Sequence, residues 1–165
     1  MKKEPFRLRV LQAMSRCLEE ITPDAGSEFD LSNAVFRGRV LFDDTNDPCP
    51  MISILEAPIP IEWGMKSGDI TLGTGNWELL VQGFVDDDKQ HPTDPAHRLM
   101  ADVKARLVKE KKRERAFNIL GMDRKVVDMN IGQGAVRPPD MPSSKAFFWL
   151  TVTLKLSEDL EDPYS

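Results

Sequence analysis

An alternating run near the end of the chain, residues 146–156, constrains the fold more than any other feature. Apolar side chains occupy every second position from Phe148 to Leu156, and the positions between them hold aromatic residues, Thr or Lys. Alternation with a period of two is typical of a β-strand, and at about 3.3 Å per residue this strand spans more than about 30 Å. The sequence therefore predicts a long strand in a substantial sheet.

Four other runs are strand-like. Residues 34–42 and 51–56 flank an acidic turn that contains prolines, and we expect them to form the first hairpin of the sheet. Residues 77–85 alternate again and end at three consecutive Asp. Residues 125–131 are a shorter strand candidate.

Two segments have the period of an amphipathic helix. The first is expected from about Pro5 to Ile21. The second begins at Asp94, which can cap the helix and precedes a proline at the first helical position. We expect this helix to cross the sheet and to continue through charged residues toward Phe117, with Gly121 as its terminator.

The order of these elements favours an α+β fold. It predicts a mixed, mainly antiparallel sheet of about four to five strands, with two main helices packed on one face. A chain of 165 residues suits one domain. Two parts are expected to leave the compact body: an extended arm or loop at about residues 57–76, and a flexible acidic tail at about residues 157–165.

The arm and the acidic turn after the third strand are the candidate interface. The arm has two Pro and four Gly among apolar residues, and about twenty residues without regular structure tend to mark a functional loop. Aromatic and Met side chains on such arms often anchor subunit contacts, although a local core position is an equal alternative for Trp63. The candidate residues that contact a subunit or another partner are Ile61, Trp63, Met65, Lys66, Asp86, Asp87 and Asp88.

Composition favours a protein that neither crosses a membrane nor binds nucleic acid tightly. The net charge is −5, and no stretch has the length or apolar content of a signal peptide or membrane span. The basic run 109–115 is interpreted as a solvated helix face with internal ion pairs, with a phosphate-binding patch as the alternative. Cys17 and Cys49 match no zinc or disulfide pattern, so we expect free thiols in a reducing cytoplasm.

Motifs of enzymes are missing from the sequence, which contains no nucleotide-binding glycine loop, no nucleophile elbow and no metalloprotease helix. No catalytic residue, cofactor or metal site is therefore expected. One group of side chains could in principle bind a divalent ion, but an acidic turn followed by a helix cap explains the same residues. That group is Asp86, Asp87, Asp88, His91, Asp94 and His97.

In the order of its elements the chain resembles the tail terminator, or tail completion, proteins of long-tailed bacteriophages. The likeness covers most of the chain and depends on the succession of segments, since no single segment is a fingerprint. The arm and the loop 137–144 depart from the family pattern. The segments that carry the likeness are LQAMSRCLEEI, FRGRVLFDD, PCPMISILEAP, WELLVQGFVDDD, DPAHRLMADVKARL and FFWLTVTLKL.

The resemblance implies a structural virion protein that is not an enzyme. Such a protein forms a ring, expected to be a hexamer, that caps the tail tube, ends tail polymerisation and presents a surface for head attachment. Its partners would be copies of itself, the tail tube protein and a head-completion or connector protein, with DNA only passing through the pore. It would be assembled in the host cytoplasm and lie at the head-proximal end of the tail. The alternatives are another head–tail connector, a minor tail component, or a metal-dependent enzyme using the Asp86 to His97 cluster.

Overall fold

The computed structural model describes residues 2–56, 72–141 and 143–165, and it confirms the α+β class. The helices are α1 (Phe6–Glu19) and α2 (Asp94–Lys111). The six strands are β1 (Val35–Arg37), β2 (Met51–Glu56), β3 (Leu72–Val85), β4 (Val126–Ile131), β5 (Ala135–Arg137) and β6 (Ala146–Asp159). Their order in the sheet is β1-β2-β3-β6-β4, with β5 also paired to β6.

The long alternating strand is central. All fourteen residues of β6 pair antiparallel with β3, and its other edge pairs with β4 and β5. The sheet has six strands, whereas four to five were predicted. The short strand β5 was not predicted, because it has only three residues, follows Gly-Gln-Gly and shows no alternating pattern.

Both helices pack on one face of the sheet, as predicted. The buried apolar side chains of α1 and α2 form one core with every second side chain of β3 and β6. On β3 these are the odd-numbered positions from Trp77 to Val85, and on β6 the even-numbered positions from Phe148 to Leu156. Alternation therefore places the remaining side chains of both strands on the opposite face.

The expected first hairpin is wrong. The strand predicted over residues 34–42 is cut to β1, and β1 pairs parallel to β2, with Val35 opposite Ile52. Gly38 has a φ of +77°, in the left-handed region that favours glycine, and there the chain leaves the sheet. The segment 38–50 then returns to the start of β2, so the chain between the two strands is a crossover and not a tight turn.

The second helix is shorter than predicted. It begins at Asp94, but the N-cap residue is Thr93 and not Asp94 as predicted, and no side chain of the described residues forms a cap hydrogen bond there. It ends at Lys111, after which Glu114, Arg115 and Ala116 take left-handed φ values of 49°, 57° and 69°. Most of the basic run is exposed and has an internal ion pair between Arg113 and Glu110, as interpreted from the sequence, but Glu110 itself is buried and also pairs with Arg106.

The arm and the tail also have different limits. Residues 57–71 lie outside the described part of the chain, whereas Leu72–Asn76, assigned to the arm from the sequence, belong to β3. β6 extends to Asp159, so the first residues of the predicted tail are strand. The end of the chain lies against α1, where the Phe6 amide donates to the Pro163 carbonyl at 2.8 Å.

Candidate interaction surface: the open face and the loop end

The face of the sheet that points away from the helices is the most distinctive surface of the molecule, and we call it the open face. None of the described residues forms a helix on it. Strand register places side chains from β2, β3 and β6 in successive rows across it. The rows are Met51, Phe84 and Phe147; Ser53, Gln82 and Trp149; and Leu55, Leu80 and Thr151.

The first row is covered by the segment 38–50. Phe42 from this segment lies 5.6 Å from the Phe84 ring, which lies 6.2 Å from the Phe147 ring. Met51, Phe84 and Phe147 are buried as a small second core. The crossover between β1 and β2 therefore closes one end of the open face with aromatic side chains.

The segment 38–50 covers the first row but does not extend over the whole of the second row. Trp149 packs edge to face against Phe147 at 5.3 Å, yet 38% of its surface remains exposed. Beside it Gln82 is only 8% exposed, and its Oε1 atom accepts no hydrogen bond from the described residues. An indole ring at the boundary of a buried polar group is typical of an interface centre, because a partner can supply both an apolar surface and a donor.

The third row continues the apolar surface. Leu55, Leu80 and Thr151 are each partly exposed, and beyond them the face becomes polar at Glu78 and Lys155. An apolar centre with a polar rim has the anatomy of a docking surface.

The acidic turn lies at one end of the sheet, which we call the loop end and define as segments 38–50, 86–94, 137–141 and 143–145. Its three loops are tied together by polar contacts: the Lys145 ammonium donates to Asp86 at 2.6 Å, and the Ser144 hydroxyl donates to Asp44. The carboxylate raises the pKa of Lys145 above its ordinary value by accepting that bond. Asp86 therefore joins two loops of this end.

The other two acids of the turn differ from each other. Asp88 accepts the backbone N–H groups of Gln90 and His91 at 2.9 and 2.8 Å, and these bonds hold the pKa of its carboxyl below the ordinary range. It is a turn-forming residue. Asp87 is exposed and has no hydrogen bond or ion pair with the described residues, so it is the member of the predicted trio that is available to a partner.

The metal-binding cluster from Asp86 to His97 was a weaker alternative in the sequence, and the described residues do not form it. Among the described residues, no group of three or more His, Cys, Asp or Glu side chains is arranged to hold a metal ion. Asp86 faces Lys145, and Asp88 faces backbone amides.

No helix in the described ranges is long and apolar enough to cross a membrane.

A charged cleft of about 330 Å³ lies between α1, α2 and the turn at Ile119–Gly121. Its ions bind each other: Arg106 lies 2.6 Å from Glu20 and 3.3 Å from Glu110, and Arg113 lies 3.3 Å from Glu110. Beneath it Cys17 is buried, and burial raises the pKa of its thiol to about 12. The cleft is therefore a structural ion-pair network.

Sequence reasoning located only part of this surface. The predicted interface residues Ile61, Trp63, Met65 and Lys66 lie outside the described residues. Trp77 is a core residue, as the strand pattern indicated, and Trp149 is a sheet-face residue. The exposure of Trp149 and the unbonded Gln82 were missed, because alternation gives the face of a side chain but not whether another segment covers it.

No protein-family model matches the chain, and no curated protein matches it.

Proposed function

We propose that this chain is a structural assembly protein that forms a ring on the end of a phage tail tube, ends tube polymerisation and presents a surface for head attachment. The proposal joins the resemblance to tail terminators with the surface of the fold. The observation that carries it is the second row of the open face, where Trp149 is 38% exposed and the buried Gln82 has an acceptor that no described residue bonds.

This row supports binding better than catalysis. A buried carbonyl oxygen without a donor costs about 1–3 kcal/mol, and a partner that donates an N–H recovers that cost. Trp149 and the two leucines of the third row supply apolar area of the kind that dominates interface energy. We assign the open face to the axial contact with the tube.

The assignment is tested by substituting Trp149→Ala and scoring tails by electron microscopy in the phage whose genome carries this chain. Loss of an interface anchor is expected to weaken capping and give tails of irregular length. Val127→Ala is the matched control, because Val127 is 45% exposed but lies on the edge strand β4. Tails of uniform length with Trp149→Ala, from a variant that folds normally, would contradict the assignment.

Location separates this function from a connector or minor tail component. A gold-labelled antibody against the chain is expected to mark the head-proximal end of the tail in particles before head joining. Label along the tube, or on the head alone, would favour the alternatives.

A further inference from the structure

The two ends of the sheet carry opposite charges. The loop end has eight Asp against four Lys or Arg. The opposite end, which we call the basic end and define as residues 109–125, has seven Lys or Arg against three acids. The chain termini lie beside this end, where Lys125 contacts Ser165 at 3.1 Å. Residues 2–9 have four Lys or Arg against one Glu, and residues 157–165 have four acids, so the end stays basic. Arg7 pairs with Glu158 at 3.1 Å, and Arg9 donates to the last residue of the chain.

Topology places these ends far apart. β6 begins at the loop end, where Ala146 pairs with Val85, and its Lys155 pairs with Asp128, which lies 3.2 Å from Lys111 of the basic end. Nine residues of strand separate Ala146 from Lys155, which is about 30 Å. One copy therefore cannot bring its own two ends together.

Each end also exposes large apolar side chains. At the loop end Val40 and Leu41 are 62% and 63% exposed, and Met141 is fully exposed. At the basic end Phe117 is 58% exposed, and the Arg124 guanidinium lies 5.2 Å from its ring. Apolar groups surrounded by charges of one sign fit a surface that has apolar groups surrounded by charges of the other sign.

We propose that the loop end of one copy docks on the basic end of a second copy, in a head-to-tail contact. The same two different patches would then meet at every subunit boundary, which is the arrangement that closes a ring or extends a chain. The contact rests on the proposed ring and names its subunit surfaces. It leaves the open face free for the tube.

Net charge does not prevent this contact. The chain as a whole carries −5, but salt screens charges beyond about 10 Å at moderate ionic strength. The charges that face each other across the boundary therefore dominate, and self-association is expected to weaken as salt is added.

Two double variants test the contact, each with side chains that bond no described residue. Asp87→Lys with Asp140→Lys alters the loop end, and Lys112→Glu with Arg115→Glu alters the basic end. Each variant alone is expected to self-associate at least about tenfold more weakly in sedimentation at low salt. Mixing the two is expected to give a discrete dimer, because each contributes one intact end.

Controls separate a specific contact from a general charge effect. Glu56→Lys with Glu78→Lys makes the same charge change as the loop-end variant, at exposed positions in the middle of the sheet, and is expected to leave self-association unchanged. An equal loss in this control, no dimer on mixing, or a wild-type chain that stays monomeric at high concentration and low salt would overturn the proposal.

A labelled DNA duplex tests the competing use of the basic end. If the basic-end variant loses duplex binding but keeps self-association, the end is a phosphate surface and the proposal fails. Failure of the proposed function is distinguishable: open filaments, or normal tails from both double variants, would contradict the capping ring while the head-to-tail contact itself stands.

Discussion

Gly83→Ala tests the packing at the centre of the sheet. Gly83 of β3 pairs with Phe148 of β6, and a Cβ atom added at Gly83 would lie 2.1 Å from the Phe148 Cε1 atom. Ordinary carbon contacts are about 3.5–4.0 Å, so the ring would have to move by about 1.5 Å. Phe148 is fully buried in the main core, and overpacking of this kind costs about 1–3 kcal/mol.

Gly75→Ala is the matched control, because Gly75 lies in the same strand and an added Cβ meets no atom within 4 Å. It is expected to be neutral or to stabilise the fold by up to about 1 kcal/mol, because Ala lowers the conformational entropy of the unfolded chain. Urea unfolding measures the free energy of both variants. The double variant Gly83→Ala with Phe148→Leu should have a free energy of unfolding at least about 1 kcal/mol higher than the sum of the two single effects predicts. A Gly83→Ala variant as stable as the Gly75→Ala control would refute the packing argument.

Other predictions concern strain, thiol reactivity and acid stability. Arg115→Gly should raise the free energy of unfolding by about 1 kcal/mol because it relieves a left-handed φ of 57°, whereas Lys112→Gly, at a φ of −85°, should not. At pH 8 a thiol reagent should label the exposed Cys49 quickly and leave the buried Cys17 unlabelled, and labelling of both at one rate would contradict the burial. Because the pKa of Cys17 is raised to about 12, its contribution to stability is complete below about pH 8.5 and lost as the pH rises toward 12. The lowered pKa of Asp88 gives the opposite sign: its contribution is present above about pH 4 and lost on acidification, so Asp88→Asn should flatten the acid limb of the stability profile.

The sequence predicted the fold class because its signals are local. Alternation in residues 146–156 and the start of the second helix near Asp94 each depend on a short stretch of chain, and both were confirmed, although the cap itself falls on Thr93. Which strand pairs with β1, and in which direction, could not be inferred from a short stretch of sequence. Two strand-like runs separated by a short acidic segment resemble a hairpin, but Gly38 and the burial of Phe42 on the open face favour a parallel crossover.

The candidate site was harder to predict for the same reason. Trp149 has the sequence signature of any sheet-face aromatic, and its exposure depends on where the segment 38–50 stops covering the face. The loop end and the basic end are visible as charge runs, but only the pairing of β3 with β6 and of β4 with β6 places them at opposite ends of the sheet.

Tail length tests the central claim most directly. Under the proposed function, phage particles assembled with the intact protein are expected to have tails of one length, joined to heads. Removal of the protein should give headless tubes of widely varying length, because nothing then stops polymerisation of the tube. Tails of unchanged length that still join heads in its absence would contradict the capping function.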